Sequence, residues 1–137
     1  MVEDRITDGR RIAELLSSEL DGREDGLLER VAVTNADRDV EPSADGTRAY
    51  DVTYRDERLA RVFVHEDRAR LEFEAGQDRA ADAAATLELR VRPKATEPPK
   101  TLVFLESGAA VKRATDVVQR VGRELEEADA WNPSTPN

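Results

Sequence analysis

The basic residues between positions 90 and 113 are the groups of this sequence best suited to binding a ligand. All three lysines of the 137-residue chain, Lys94, Lys100 and Lys112, lie in this stretch. The stretch carries six basic and two acidic residues, whereas the whole chain has a formal net charge of −9. Ammonium and guanidinium groups bind carboxylate and phosphate oxygens. The stretch therefore predicts a site for an anion.

The stretch also contains the predicted start of a helix, at Ser107-Gly108. A helix N-terminus directs free N–H groups and about half a positive charge at an anion. We therefore predict that an acidic protein or a phosphorylated ligand binds here. The candidate contacts are Arg92, Lys94, Lys100, Ser107, Gly108, Lys112 and Arg113. The alternative is architectural, with the lysines paired to acids of the same domain.

Signals for catalysis are weak. The single histidine, His65, ends a predicted strand, where a lone histidine is more often a surface or half-packed residue than a catalytic one. Carboxylate pairs such as Glu72 and Glu74 arise by composition in a chain with 30 acidic residues. Without cysteine, thiolate catalysis and Cys-ligated metal are excluded. We predict no enzyme activity, cofactor or metal site; the alternative is a small enzyme that uses carboxylates with Lys94 or Lys100.

The remaining partner classes are limited by composition. Nucleic acid is not expected, because aromatic residues are few and Phe104 of the basic stretch reads as buried. No apolar run approaches the ~18 residues of a membrane span. The N-terminus has charges where a signal peptide has an apolar core. We therefore predict a cytoplasmic protein without a membrane partner.

The charged residues are of an unusual kind. Acidic residues number 30 against 21 basic ones, and only three of the basic residues are lysine. This composition resembles that of proteins from salt-loving archaea. At molar salt the screening length is roughly 3 Å, which cancels most repulsion within an acidic surface. The alternative is an ordinary acidic protein whose composition reflects a high-GC coding bias.

The hydrophobic pattern predicts an α+β domain. Apolar spacings of three and four predict helices at 4–20, with Thr7 or Asp8 as N-cap, and at about 109–128, with Ser107 as N-cap. Period-two alternation predicts the strands, and residues 76–85 predict one or two helical turns. The predicted strands are 27–34, 47–55, 58–65, 69–75, a fifth that begins at Leu87 and ends before Pro93, and 101–106.

This order predicts a mostly antiparallel sheet of five to six strands, with the N-terminal and C-terminal helices packed on one face. Residues 1–128 form one domain in this interpretation, and 129–137 form a disordered tail. The expected function is that of a non-catalytic binding or assembly module. A homodimer that pairs through the outer sheet face or the sixth strand is the structural alternative.

Overall fold

The α+β fold is confirmed by the computed structural model, which describes residues 7–21 and 30–131. Six antiparallel strands form one sheet in the order β1-β2-β3-β4-β6-β5. The elements are α1 (Gly9–Asp21), β1 (Val31–Thr34), β2 (Thr47–Tyr54), β3 (Glu57–Val64), β4 (Ala69–Phe73), α2 (Gln77–Thr86), β5 (Arg90–Lys94), β6 (Lys100–Leu105) and α3 (Ala110–Trp131).

The helices cover one face of the sheet because their apolar stripes need a surface to bury. The stripe of α1 is fully buried at Ile12, Leu16 and Leu20. Tyr50 and Tyr54 alternate along β2 and reach different helices: the Tyr50 hydroxyl donates to the carbonyl of Ala13 in α1, and the Tyr54 hydroxyl donates to Glu126 in α3. This places both terminal helices on the same side and leaves the opposite face open.

The start of α1 is fixed by close packing. Gly9 lies against the β3–β4 turn, where its N–H donates to the carbonyl of Glu66. A Cβ at Gly9 would lie 1.9 Å from the carbonyl oxygen of His65, so a side chain does not fit there. Asp8 caps the helix by accepting from the N–H of Arg10, as predicted. The helix begins at Gly9 rather than at residue 4, and residues 1–6 lie outside the described ranges.

Several predicted boundaries shift. The helix at 76–85 is a complete ten-residue α2, because it is stabilised by packing on α3 and β6. Leu87 closes α2 instead of opening a strand, since its N–H donates to Ala83. Pro93 lies within β5, which tolerates it as an edge strand. The last helix extends to Trp131, into the predicted tail; residues 22–29 and 132–137 lie outside the description.

The sixth strand is not available for pairing with a second copy. It lies between β4 and β5 and pairs with both. The edges of the sheet, in the part of the chain described, are β1 and β5. Two copies therefore cannot pair edge to edge through the sixth strand, because the fold places that strand inside the sheet.

The turn between β2 and β3 is held in an unfavourable backbone conformation. Its two central residues are Arg55 and Asp56, one position earlier than predicted, with φ of 50° and 70°. These values belong to a type I′ turn, which favours Asn-Gly. Arg55 is held in place by a 3.0 Å ion pair with Glu126 of α3. This ion pair therefore offsets part of the backbone strain in the turn.

We expect Asp56→Gly to raise the free energy of unfolding by about 0.5–1 kcal/mol, because glycine removes the penalty for positive φ. Urea denaturation measures the change. Glu57→Gly is the matched control: Glu57 is an exposed residue of β3, and glycine there should lower the free energy of unfolding by about 0.5–1 kcal/mol. Equal destabilisation by both variants would contradict the strain at Asp56.

Candidate anion-binding face

The sheet face opposite the helices carries most of the basic strand residues. The register aligns Arg61 with Glu72, Glu72 with Leu102, and Leu102 with Arg92, so these side chains share one face. We call this surface the cationic face. Its basic residues are Arg48, Arg58, Arg61, Arg70, Arg90, Arg92, Lys94 and Lys100, and its acidic residues are Asp51, Glu72, Glu74 and Glu106. The face has an excess of four positive charges, in a chain of net charge −9.

Depth separates the two signs of charge on this face. The side chains of Glu72 and Asp51 are only 2% and 8% exposed. Those of Lys94 and Arg90 are 45% and 62% exposed. The carboxylates of Glu72 and Asp51 therefore lie close to the sheet, and the cationic ends of Lys94 and Arg90 extend above them, whereas Glu106 at the border of the face is 56% exposed. A partner approaching the centre of this face meets mainly guanidinium and ammonium groups.

Glu72 is the centre of the cluster on β4. Arg70 makes two close contacts with its Oε2 atom, 2.8 Å from Nε and 2.7 Å from Nη2. The ammonium groups of Lys94 and Lys100 lie 3.9 and 3.8 Å from Glu72 oxygens. Arg70 therefore forms a direct hydrogen bond and a close ion pair with Glu72, whereas both lysines are held at ion-pair distance. One buried carboxylate is surrounded by three cations.

A second cluster lies over β2 and β3. Glu74 accepts from Arg58 at 2.9 Å and lies 3.2 Å from Arg61. Asp51 lies 4.0 Å from Arg61 and 3.5 Å from Arg48. Arg61 therefore lies between two carboxylates. The row of alternating charge crosses the strands, so it unites residues that are far apart in the sequence.

His65 is a structural part of the same network. Its ring is buried, with Nδ1 3.0 Å from the carbonyl of Ala44 and Nε2 2.7 Å from Nη1 of Arg70. Because Arg70 can only donate, Nε2 accepts and Nδ1–H donates, which defines a neutral imidazole. Burial lowers the pKa of His65. Both ring nitrogens are engaged within the fold, as in a packed histidine.

The aromatic rings of the cationic face are covered by guanidinium groups. Arg70 lies 4.4 Å from the ring centre of Phe63. Arg90 and Arg68 lie 5.2 and 6.0 Å from the ring centre of Phe104, which is buried. Cation–π contacts hold the arginines in place. The ring of Phe104 is therefore buried beneath two guanidinium groups, and the half-buried ring of Phe63 is covered by one.

The seven residues predicted as contacts fall into two groups on opposite sides of the sheet. Arg92, Lys94 and Lys100 lie on the cationic face. Ser107, Gly108, Lys112 and Arg113 lie at the start of α3, on the helix side, where Gly108 and Lys112 line a cavity of 150 Å³ together with residues of α1. The two groups do not form one site. The chain leaves the sheet after β6 and enters the helix layer, so the second group lies on the other side of the sheet from the first.

Two amides at the start of α3 donate within the fold. The N–H groups of Ala110 and Val111 donate to the carbonyls of Ser107 and Gly108, at 3.0 and 3.2 Å. Ser107 therefore opens a tight turn through its carbonyl, and its hydroxyl makes no cap hydrogen bond within the described residues. Arg113 donates to the carbonyl of Leu87 at 3.3 Å. These groups are already used by the fold.

The arginines of the central strands lie outside the basic stretch at 90–113 and were not among the predicted contacts. Arg48, Arg58, Arg61 and Arg70 complete the cationic face but come from β2, β3 and β4. The signal for Arg70 was present, since it alternates with Leu71 and Phe73 in β4. The charged residues that alternate with the apolar ones in every strand predict the cationic face only when the order of the strands in the sheet is known.

Neither a metal centre nor a membrane span is found in the ranges that the structure describes. No group of three or more acidic or histidine side chains there is arranged to hold a metal ion. No helix among the same residues is long and apolar enough to cross a bilayer.

The buried histidine predicts an acid-sensitive stability. The folded state lowers the pKa of His65 below 6.5, so the unfolded chain binds the proton more readily. The His65 contribution is complete above about pH 6.5 and is lost as the pH falls through the folded-state value. We expect acidification from pH 7.5 to 5.5 to lower the free energy of unfolding less in His65→Gln, which cannot titrate, than in the wild type. Urea titrations at each pH measure how the free energy of unfolding of each protein changes with pH. Equal changes in the variant and the wild type would contradict this prediction.

Comparison with known proteins gives one assignment. Neither the curated proteins nor the solved structures give a match to this chain. A family model described as a family of unknown function, DUF7993, matches residues 1–133. This match covers nearly the whole sequence, and the chain therefore belongs to the DUF7993 family.

Proposed function

We propose that the protein is a non-catalytic binding domain that docks an acidic protein surface on its cationic face. The observation that carries the proposal is the layering of charge. Eight basic side chains lie on one face of a chain whose net charge is −9, and two carboxylates of the same face, those of Glu72 and Asp51, are buried. A surface of this kind attracts negative partners and orients them before contact.

The residue types favour carboxylates as the groups recognised. Six of the eight basic residues are arginine, whose planar guanidinium binds a carboxylate through two parallel hydrogen bonds. Neighbouring strands of a sheet are about 4.8 Å apart. Acidic residues at i and i+4 on a helix are about 5–6 Å apart. An acidic helix laid across the strands therefore matches the spacing of the cations.

Nucleic acid is less well supported as the partner. Proteins that bind single strands on a sheet usually stack bases on exposed aromatic rings. Phe63 and Phe104 are covered by arginines, and uncovering them would break the Arg70 and Arg90 contacts. Binding to a polyanion without stacking would also weaken strongly with salt.

A homodimer through the outer sheet face is also disfavoured. Pairing two copies face to face would bring two surfaces of excess positive charge together. Such like-charge contacts oppose association. Pro93 and Lys94 also blunt the β5 edge against strand addition.

The enzyme alternative has one supporting observation. Glu72 is a buried carboxylate beside Lys94 and Lys100, which is a pairing that active sites use. However, the pair lies on an open sheet face. Cavities of 310, 470 and 150 Å³ are lined by other residues, and Glu72 lines none of the three. A site without a concave pocket is a poor setting for substrate chemistry.

We also propose that the protein works in a salt-rich cytoplasm. The support is compositional: the residues outside the cationic face carry the whole acidic excess, and lysine is nearly absent. We expect the thermal midpoint of unfolding to rise when KCl increases from about 0.2 M to about 2 M, because screening removes repulsion between carboxylates. Calorimetry in both buffers measures the shift. An unchanged midpoint would favour an ordinary acidic protein.

The docking proposal predicts a charge-specific loss of binding. We expect Arg90→Glu with Arg92→Glu to weaken binding of a poly-glutamate peptide at least tenfold, because both side chains are exposed on the cationic face. Fluorescence anisotropy at about 0.1 M KCl measures the affinity. A single-stranded oligonucleotide of equal charge serves as the competing probe.

The matched control changes the same charge on the helix side. Arg79 of α2 and Arg123 of α3 are exposed and lie away from the cationic face. We expect Arg79→Glu with Arg123→Glu to alter the affinity less than twofold. Equal losses of peptide affinity in the two double variants would show that binding depends on the net charge of the protein and not on the cationic face. Tighter binding of the oligonucleotide than of the peptide would indicate that the partner is nucleic acid and not an acidic protein.

A further inference from the structure

Two lysines of the cationic face form a like-charge pair that the fold alone does not explain. Lys94 and Lys100 lie directly opposite each other at the end of the β5–β6 hairpin. Like charges at directly opposed positions destabilise an antiparallel pair. Two of the three lysines of the chain are placed in this one arrangement.

Glu72 only partly compensates this pair. Its Oε2 atom already accepts a 2.8 Å hydrogen bond from Nε of Arg70, and Nη2 of Arg70 lies 2.7 Å from the same oxygen. The lysine ammonium groups are 3.8 and 3.9 Å away, which is beyond a direct hydrogen bond. Arg70, Lys94, Lys100 and Glu72 together carry two excess positive charges. The cluster is therefore incomplete as an internal ion-pair network.

The hydrogen-bond donors of this pair are available to a ligand. Neither lysine ammonium makes a hydrogen bond within the described residues. Lys100 is three-quarters covered, with 23% of its side chain exposed, so its charge is less screened than that of a fully exposed lysine. Arg92 lies on the same face of β5, two residues before Lys94, and is exposed without an ion pair among the residues described. Two ammonium groups thus lie 3.8 and 3.9 Å from Glu72 oxygens, and Arg92 adds a third cation on the same face.

We infer that Lys94 and Lys100, with Arg92 beside them, form a subsite for a phosphomonoester dianion. This inference rests on the proposed function and assigns one group of the docked partner. A phosphorylated side chain carries about −1.5 to −2 charge at pH 7 and three acceptor oxygens. It neutralises the two excess charges of the cluster, whereas a carboxylate leaves one uncompensated. Lysine is also a common phosphate ligand, because its ammonium group acts as a point charge.

The experiment compares two acidic peptides that differ at one residue. One contains a phosphoserine flanked by glutamates, and the other has glutamate in its place. We expect the wild-type protein to bind the phosphorylated peptide at least fivefold more tightly. Lys94→Gln with Lys100→Gln should abolish this difference, and Lys112→Gln should preserve it. Lys112 is the matched control, because it is the third lysine and lies on the helix side.

The variants should remain folded, because Arg70 still hydrogen-bonds Glu72 in both. An unchanged thermal midpoint verifies this. Free O-phosphoserine is the second probe: if it binds as tightly as the peptide, the subsite takes a free phosphorylated molecule, and if it binds more weakly, the phosphate belongs to a protein.

Two results would overturn the subsite. One is equal affinity of the wild-type protein for the two peptides. The other is a phosphate-dependent increment that survives in Lys94→Gln with Lys100→Gln. Either result is distinct from failure of the docking proposal, in which poly-glutamate binding does not respond to Arg90→Glu with Arg92→Glu.

Discussion

The open face of this sheet depends on the burial of one carboxylate, that of Glu72. Removing a charge from water costs several kcal/mol unless partners replace the water. Arg70 supplies a direct hydrogen bond from Nε and a close ion pair from Nη2, and its Nη1 atom also donates to His65 and to the carbonyl of Asp45. The same guanidinium therefore links β4, the end of β3 and the loop before β2. Removing Arg70 would leave both a buried anion and an unanchored loop.

Space around Arg70 sets a further constraint on that loop. Gly46 has a φ of 91°, and a Cβ there would lie 2.3 Å from Nη1 of Arg70. Only glycine accepts this conformation without strain and leaves room for the guanidinium. Arg70 is also stacked on Phe63. The long side chain is consequently immobilised along its length, which makes it a fixed donor for Glu72 rather than a mobile surface charge.

The sequence was sufficient for the order of elements, because helix and strand periods differ clearly in α1, β2, β4 and α3. It was insufficient where tertiary contacts override local signals. The alanine-rich segment of α2 is too short to be a stable helix alone, and packing on α3 extends it. Pro93 predicts the end of a strand, because the sequence does not show that β5 is an edge strand, in which proline is tolerated. The shared face of Arg61, Glu72 and Arg92 depends on strand order, which no local pattern contains.

Proximity in sequence and proximity in space diverge most at the basic stretch. The chain passes along β5, turns, and returns along β6 before it enters α3, so a continuous run of cations is divided between the two sides of the sheet. On the helix side, Arg113 and the amides of α3 serve the fold. On the open side, the run is joined by arginines from β2, β3 and β4. The cationic face is therefore a property of the sheet register. Long side chains such as those of Lys94 and Arg90 extend past the buried carboxylates of Glu72 and Asp51, which leaves the positive charge more exposed there.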